Sequence, residues 1–231
     1  MRTNDYTKKA KIYALSKITE TGYLAYRDTL RFIPNRLKKG KTLDFGCGSG
    51  RSTQFLKESG FNVIGLDISS SMIEQAKKQD KNLDYILYDG KNFPFANESF
   101  DLIVSILVLF EISTLGQIEK IFTEVYRVLS KEGIAVFVTG SEIMYSYHWL
   151  SIFPQVNKKS FSSGELVQIK LKENLVLNDY FWTNNDYQNI FKVSGFNCIK
   201  THHPLGLKNE YNWVSEQKQS PYVLYILKKQ I

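Results

Sequence analysis

The chain has 231 residues, of which 43% are hydrophobic, and its formal net charge is +7. This length suits one domain with an elaboration. No run approaches the roughly 20 apolar residues that a membrane helix needs, and the basic, polar start lacks the apolar centre of a secretion signal. Two cysteines are also too few for a disulfide framework. From these three observations together we expect a soluble, cytoplasmic protein without a membrane span.

The positive charge is concentrated at the start of the chain. Residues 1–41 hold eleven lysines and arginines against three acids, which leaves the remainder slightly negative. A basic arm of this kind can attract an anionic substrate or nucleic acid. It can equally be the solvated face of N-terminal helices, and both alternatives stay open at this point.

Strand and helix patterns alternate from residue 41 onward. Seven short apolar runs are typical of buried strands; they cover residues 41–45, 62–66, 85–88, 102–105, 134–139, 196–201 and 222–227. Four helices are predicted between them. The first starts at Arg51 and stops at Gly60, and the second starts at a capping box of Ser71 with Glu74. The third stops near Gly133, and the fourth starts at a capping box of Thr183 with Asp186.

Strands separated by helices of this length predict right-handed crossovers and an α/β fold. We expect a Rossmann-like, seven-stranded, mostly parallel sheet with helices on both faces. The single domain would consist of a helical cover (residues 1–40), a core (41–140), an insertion after the fifth strand (141–182), and a closing helix with two strands (183–231). Ligands of such sheets bind outside the carboxyl ends of the strands.

The stretch from Leu43 to Gly50 reads LDFGCGSG, directly after the first predicted strand. A strand that turns through glycines into a helix presents backbone N–H groups to a ligand. The dinucleotide spacing is imperfect, because Arg51 stands where the third glycine belongs, and no Walker-type Gly-Lys-Ser/Thr follows. Asp44 would repel a pyrophosphate but would suit a cationic amine or sulfonium.

The pattern Asp44-x-Gly46-x-Gly48-x-Gly50 resembles motif I of the class I S-adenosylmethionine-dependent methyltransferases. The resemblance continues through further features in the expected order, namely Asp67, Asp89-Gly90, Phe93–Ile103 and Val125–Leu129. Within the family, the chain looks most like the small cytoplasmic enzymes related to quinone-biosynthesis methyltransferases. The resemblance implies S-adenosyl-L-methionine as the cofactor. No metal site is expected, because the His202–His203 pair has no third ligand spaced near it.

The resemblance also implies cofactor-binding roles at the strand ends. Asp67 would accept both ribose hydroxyls, Asp89-Gly90 would lie near the adenine amine, and Ser105 or the carbonyl beside it would receive the methionine ammonium. The other expected members of the cofactor site are Gly46, Cys47, Gly48, Ile68 and Met72. Three alternatives remain: Asp67 caps its helix, Asp89 is a turn residue, and Met72 belongs only to the buried face of its helix.

The N-terminal segment is expected to close over the cofactor. It contains Tyr13, Tyr23, Tyr26 and Arg27 on a probable helix pair. Tyr23 and Arg27 are assigned to the cofactor site, because a guanidinium suits the methionine carboxylate as a bidentate partner. The alternative is that Arg27 is a surface arginine.

Two residues are candidates for a general base. Glu111 follows the fourth strand and would face the reaction centre or cap the next helix, and His148 is the histidine best placed in the insertion. The insertion is rich in aromatic side chains, which would form either a lid for a flat or apolar substrate or a satellite core. These are Tyr145, Tyr147, Trp149, Phe153, Phe161, Tyr180 and Trp182.

We therefore predict an enzyme that moves a methyl group to an O, N or C atom of a small, flat or apolar metabolite. The first rival is an RNA methyltransferase that uses the basic N-terminal segment. Because residues 105–108 read Ser-Ile-Leu-Val, and not the Asn/Asp-Pro-Pro-Tyr/Phe of base amino-methyltransferases, nucleic acid is the less favoured acceptor. The second rival is a non-catalytic module that binds the cofactor.

Overall fold

Seven strands form the main sheet of the computed structural model, which describes Asn4, Ala10, Ala14, Leu15 and residues 17–230. The strand order is β3-β2-β1-β4-β5-β10-β9, and only β10 runs antiparallel to its neighbours. The strands are β1 (Lys41–Phe45), β2 (Asn62–Asp67), β3 (Asp84–Leu87), β4 (Phe100–Ile106), β5 (Leu129–Gly140), β9 (Phe196–His202) and β10 (Tyr222–Lys229). The predicted seven-stranded, mostly parallel sheet is confirmed.

Helices cover both faces of this sheet. They are α1 (Glu20–Arg27), α2 (Arg51–Glu58), α3 (Ser70–Gln79), α4 (Leu115–Val128) and α5 (Asn184–Val193), with short 3-10 turns at Thr29–Phe32, Asn35–Lys39 and Leu109–Glu111. The buried residues of α1, α2 and α3 join one apolar core, and those of α4 and α5 join the other. Since β1, β2 and β4 are parallel, their carboxyl ends meet at one edge of the sheet.

Of the predicted helix limits, the start at Arg51 and the Thr183–Asp186 box are confirmed, whereas the Ser71 box and the stop near Gly133 are wrong. The cap of α3 is Ser69, whose side chain accepts a hydrogen bond from the backbone N–H of Met72, so the helix starts before the expected Ser71 box. Helix α4 ends at Val128, and the chain enters β5 at once instead of continuing to Gly133. Thr183 and Asp186 form the predicted capping box of α5.

The insertion builds a small antiparallel sheet of its own, in the order β6-β7-β8. Its strands are β6 (Ile152–Pro154), β7 (Leu166–Leu171) and β8 (Val176–Tyr180). Most of its aromatic side chains are packed inward; Trp149 is 1% exposed and Tyr145 is 3% exposed. Tyr145 and Trp149 belong to the same apolar core as α1, α2 and α3, so these aromatic side chains extend the main core and do not form a separate satellite core.

The cover helix α1 is part of the core. Its Thr21, Leu24 and Ala25 have no exposed surface. The Thr21 hydroxyl donates a 2.7 Å hydrogen bond to buried Glu216, which also accepts from the backbone N–H of Leu150. Helix α1, the insertion and the β9–β10 connection are therefore joined through one carboxylate. Tyr13, which was predicted to belong to the same cover, lies outside the described residues.

Candidate functional site

A cavity of about 820 Å³ opens at the carboxyl ends of the parallel strands. Its wall is formed by the glycine loop after β1, the ends of β2 and β4, the Leu109–Glu111 turn, and one face of α4. This is the position expected for a ligand of an open α/β sheet.

The three glycines of the loop differ in what a side chain added at each position would meet. At Gly46, with φ +73°, an added Cβ would overlap the side chain of Val108, and at Gly50 it would lie 2.6 Å from the Tyr85 hydroxyl. At both positions the protein itself therefore leaves no room for a side chain, although Gly46 still lines the cavity. At Gly48, with φ +52°, an added Cβ would meet nothing within 4 Å. Gly48 lines the cavity together with Gly46 and Cys47, so the space beside its bare backbone is open to a ligand.

Asp67 lies at the end of β2 and lines the same cavity. Its Oδ2 accepts a 2.9 Å hydrogen bond from the backbone N–H of Gly48, and its Oδ1 accepts a 2.7 Å bond from that of Ser69. The carboxylate is thus fixed in orientation beside the open part of the glycine loop. Because the cap of α3 is Ser69, Asp67 is not needed for that purpose.

Asp44 differs from the expectation that it would face a cationic ligand. It has no exposed surface, and its Oδ2 accepts hydrogen bonds from the hydroxyls of Ser52 (2.6 Å) and Thr53 (2.7 Å) on α2. Burial raises the pKa of Asp44 to about 6, although the two hydroxyl hydrogen bonds lower it. Asp44 fastens α2 to β1 and does not contribute to the cavity wall.

The residues expected around the adenine are partly brought together. Cys47, Ile68, Met72 and Gly90 all line the cavity. Asp89 does not: its side chain is exposed, and its Oδ1 accepts a 2.9 Å hydrogen bond from the backbone N–H of Lys91. The carboxylate therefore closes a local turn, the alternative that an Asp-Gly pair allows.

Ser105 is 1% exposed and lies within β4, so its side chain does not reach the cavity. The wall is instead formed by the next residues, Ile106, Leu107 and Val108. Leu107 has φ +62°, a conformation that is rare for a branched side chain, and its N–H donates to the carbonyl of Val138 on β5. This strained turn redirects the backbone at the strand end, as is common at functional sites.

The two candidate bases are separated by the fold. Glu111 ends the 3-10 turn after β4 and lines the cavity, whereas His148 is exposed and does not line it. Of the two candidate bases, Glu111 is therefore the one at the cavity.

Tyr23 and Arg27 also lie away from the cavity. Tyr23 packs edge-on against Tyr211, with ring centroids 5.9 Å apart. The Arg27 guanidinium donates to Asp28 and Glu210 at 2.7 Å and to the carbonyl of Leu205 at 2.8 Å. Hydrogen bonding to Asp28 raises the pKa of Arg27. These contacts tie α1 to the β9–β10 connection, so the predicted ligand role of Arg27 has no geometric support.

Tyr26 is the residue of α1 that lines the cavity. Two further lining residues, Arg51 and Val108, were not singled out for the site from the sequence. Arg51 opens α2 directly after the glycine loop, and a cation at the first position of that helix is the signal that could have identified it.

The sequence features around Arg127 have a structural explanation. Its guanidinium donates to the carbonyls of Phe93 (3.0 Å) and Phe95 (2.7 Å) and pairs with Glu124 at 2.6 Å. Glu124 in turn accepts from the backbone N–H of Phe93. The pair thereby fixes the loop before β4 on helix α4, and this loop borders the cavity.

Neither a metal site nor a membrane span is found in the part of the chain that the structure describes. There, no group of three or more histidine, cysteine, aspartate or glutamate side chains could hold a metal ion. In the same residues, no helix combines the length and apolar character needed to cross a membrane.

Comparison with known proteins identifies the family. Residues 43–137 match the family described as "Methyltransferase domain". The demethylmenaquinone methyltransferase of Thermotoga maritima is 30% identical over 168 residues, which cover 68% of this chain and 69% of that protein. The malonyl-(acyl-carrier protein) O-methyltransferase of Hamiltonella defensa is 30% identical over 135 residues, which cover 57% of this chain and 51% of that protein.

The fold is also similar to that of solved methyltransferase structures. The crystal structure of an S-adenosylmethionine-dependent methyltransferase from Clostridium acetobutylicum superposes with a TM-score of 0.65 at 19% identity, covering 99% of this chain and 100% of the other. The chain belongs to the class I S-adenosylmethionine-dependent methyltransferases, as the sequence predicted. It spans about half the length of the malonyl-(acyl-carrier protein) relatives that it matches first.

The residues present fit the cofactor of this family. The open space at Gly48 leaves room for a ligand against the main chain. Beside it, the oriented carboxylate of Asp67 offers acceptors for a pair of hydroxyls, and the apolar Met72 side chain lies in the same wall.

Proposed function

We propose that this chain transfers a methyl group from S-adenosylmethionine to a small, flat or apolar molecule. The single observation that carries the proposal is the carboxylate of Asp67, held by the N–H groups of Gly48 and Ser69 at the wall of an 820 Å³ cavity. The family membership supports the same activity.

Each part of the cavity would hold one part of the cofactor. Asp67 would accept the two ribose hydroxyls, because an ionised carboxylate can accept several hydrogen bonds at once. Gly48 would approach the amino-acid end through its main chain, and Ile68 with Met72 would pack against the adenine. Arg51 would hold the methionine carboxylate in place of Arg27, and its position in the cavity wall supports this role.

The chain itself has little covalent chemistry to perform. When bound, S-adenosylmethionine supplies a methyl group on a positively charged sulfur, which is already reactive. The protein must hold the acceptor in line and exclude water, and alignment alone can contribute up to about 7–11 kcal/mol. Glu111 would accept a proton from an acceptor that arrives protonated. Such a base would add roughly 10²–10⁴-fold to the rate.

The cavity wall combines apolar and polar side chains. Phe93, Ile112 and Ile121 are among the apolar ones, and Lys91 and Lys120 are among the charged ones. Apolar walls with a few polar groups are typical of sites for small molecules. The relatives are named for malonyl-(acyl-carrier protein) and demethylmenaquinone. The cytoplasmic location predicted from the sequence stays a prediction.

The proposal is tested by incubating the protein with a methyl-labelled donor and a fractionated cell extract. We expect label in a small-molecule fraction with the wild type and a large loss with Glu111→Gln. Label that appears only in RNA would support the rival that uses the basic N-terminal segment. Cofactor binding without transfer to any fraction would support a non-catalytic module.

A further inference from the structure

Asp179, on strand β8 of the insertion, is a buried carboxyl group that the proposed reaction does not use. Its exposed fraction is 0%. Its Oδ2 accepts a 3.2 Å hydrogen bond from the hydroxyl of Tyr145, and its Oδ1 has no hydrogen-bond partner in the described chain. Buried polar atoms are almost always satisfied, so an unsatisfied carboxyl oxygen requires an explanation.

Among the residues that the structure describes, the surroundings of this carboxyl group carry no compensating cation. Within the described residues, no lysine, arginine or histidine forms an ion pair with Asp179. The groups that face it are the hydroxyl of Tyr145, the carboxylate of Glu111 and, on α5, the hydroxyl of Tyr187. Burial raises the pKa of Asp179 well above its usual range, and the charge of Glu111 raises it further, while the Tyr145 hydrogen bond acts in the opposite direction.

The position of Asp179 links it to the cavity. Strand β8 packs against the Leu109–Glu111 turn, and the charge of Glu111, which lines the cavity, acts on Asp179. Two carboxyl groups in a dry environment resist being ionised together, because each negative charge disfavours the other.

We propose that Asp179 is a positioning residue for Glu111, in that it stays protonated on strand β8 and leaves the pair with a single negative charge, carried by Glu111 at the cavity. This inference rests on the proposed function, in which Glu111 accepts a proton from the methyl acceptor. In that step the acceptor's proton moves to Glu111, and Asp179 keeps its own proton throughout. The insertion would then set the charge of the reaction centre without touching the substrate.

Infrared titration of the purified full chain with isotope-labelled aspartate tests this inference without any methyl acceptor. The absorption of a protonated aspartic acid should persist at pH 8 in the wild type and disappear in Asp179→Asn. Asp44 does not interfere, because its pKa of about 6 leaves it ionised at that pH. Removing the negative charge with Glu111→Gln should shift the midpoint of the remaining aspartic acid downward by about one pH unit or more.

These results separate positioning from a merely structural role. A protonated Asp179 that titrates at the same pH in the wild type and in Glu111→Gln is not coupled to Glu111, and this would overturn the proposal. Absence of the aspartic-acid absorption at pH 8 in the wild type would also overturn it. Should Asp179→Asn fail to fold, the comparison between wild type and Glu111→Gln still decides. Failure here leaves methyl transfer itself intact, because the labelled-donor assay measures that independently.

Discussion

The carboxylate of Asp67 accepts a 2.9 Å hydrogen bond from the backbone N–H of Gly48, and so joins the end of β2 to the glycine loop that follows β1. One residue therefore orients the open backbone of the loop and presents its carboxylate at the cavity wall. The two features that identify the cofactor site, the open backbone at Gly48 and the oriented carboxylate of Asp67, thus depend physically on each other.

The glycines of the loop should respond differently to alanine. In Gly48→Ala, the added Cβ enters the cavity and the positive φ costs about 1–2 kcal/mol of stability, so cofactor affinity should fall by at least an order of magnitude, about 1.4 kcal/mol. In Gly46→Ala, overlap with Val108 adds roughly 1–3 kcal/mol to that cost. Thermal unfolding and calorimetric titration measure both effects. Adding Val108→Ala should restore part of the stability of Gly46→Ala only.

Asp44 should make the stability depend on pH. Its pKa is raised from about 3.9 in the unfolded chain to about 6 in the fold by burial. Its contribution to the free energy of unfolding is therefore fully present below about pH 4 and is lost as the pH rises through 6, a change of about 3 kcal/mol. Asp44→Asn keeps an oxygen for Ser52 and Thr53 but cannot ionise, so it should be more stable than the wild type at pH 8. Equal unfolding midpoints at pH 8 would exclude the raised pKa.

Arg127 should control the order of the loop before β4. Lysine at this position cannot reach the carbonyls of Phe93 and Phe95 together, because it lacks the planar fork of arginine. We expect Arg127→Lys to lower stability by about 1–3 kcal/mol and to speed hydrogen exchange in residues 88–95. The matched control is Arg36→Lys, since Arg36 makes one exposed contact of 3.4 Å. A similar change in both variants would argue against this anchoring role.

Glu111→Gln separates binding from chemistry. The cofactor-binding residues are unchanged, so the dissociation constant of S-adenosylmethionine should stay within about twofold, well below one order of magnitude. If the acceptor arrives protonated, kcat should fall by roughly 10²–10⁴-fold. Glu119→Gln, on the exposed side of α4, is the control and should behave as wild type. An unchanged kcat in Glu111→Gln would remove the base from the mechanism.

The order of elements could be predicted from the sequence because apolar runs and caps are local signals. The Thr183–Asp186 box formed as expected, whereas Ser71 lost the capping role to Ser69, whose side chain meets the N–H of Met72. Helix α4 was predicted too long because residues after Val128 pair with β4, a contact between distant parts of the chain.

The site was harder to predict because two acids at strand ends look alike in sequence. Asp67 faces the cavity, while Asp44 faces the hydroxyls of α2. The guanidinium of Arg27 could bind a ligand carboxylate, but in the fold it forms ion pairs with Asp28 and Glu210. Neither the strained Leu107 nor the unsatisfied Asp179 has a local signature, since both depend on tertiary packing.

Calorimetric titration with S-adenosylmethionine tests the central claim most directly. The wild type should bind, and Asp67→Asn should bind about 10–100-fold more weakly, because a hydrogen bond to a charged group contributes about 1.5–3 kcal/mol. Asp84→Asn, which changes an exposed acid at the start of β3, should bind as the wild type does. Equal affinity of Asp67→Asn and wild type, with both folded by thermal unfolding, would contradict the assignment of the ribose to Asp67.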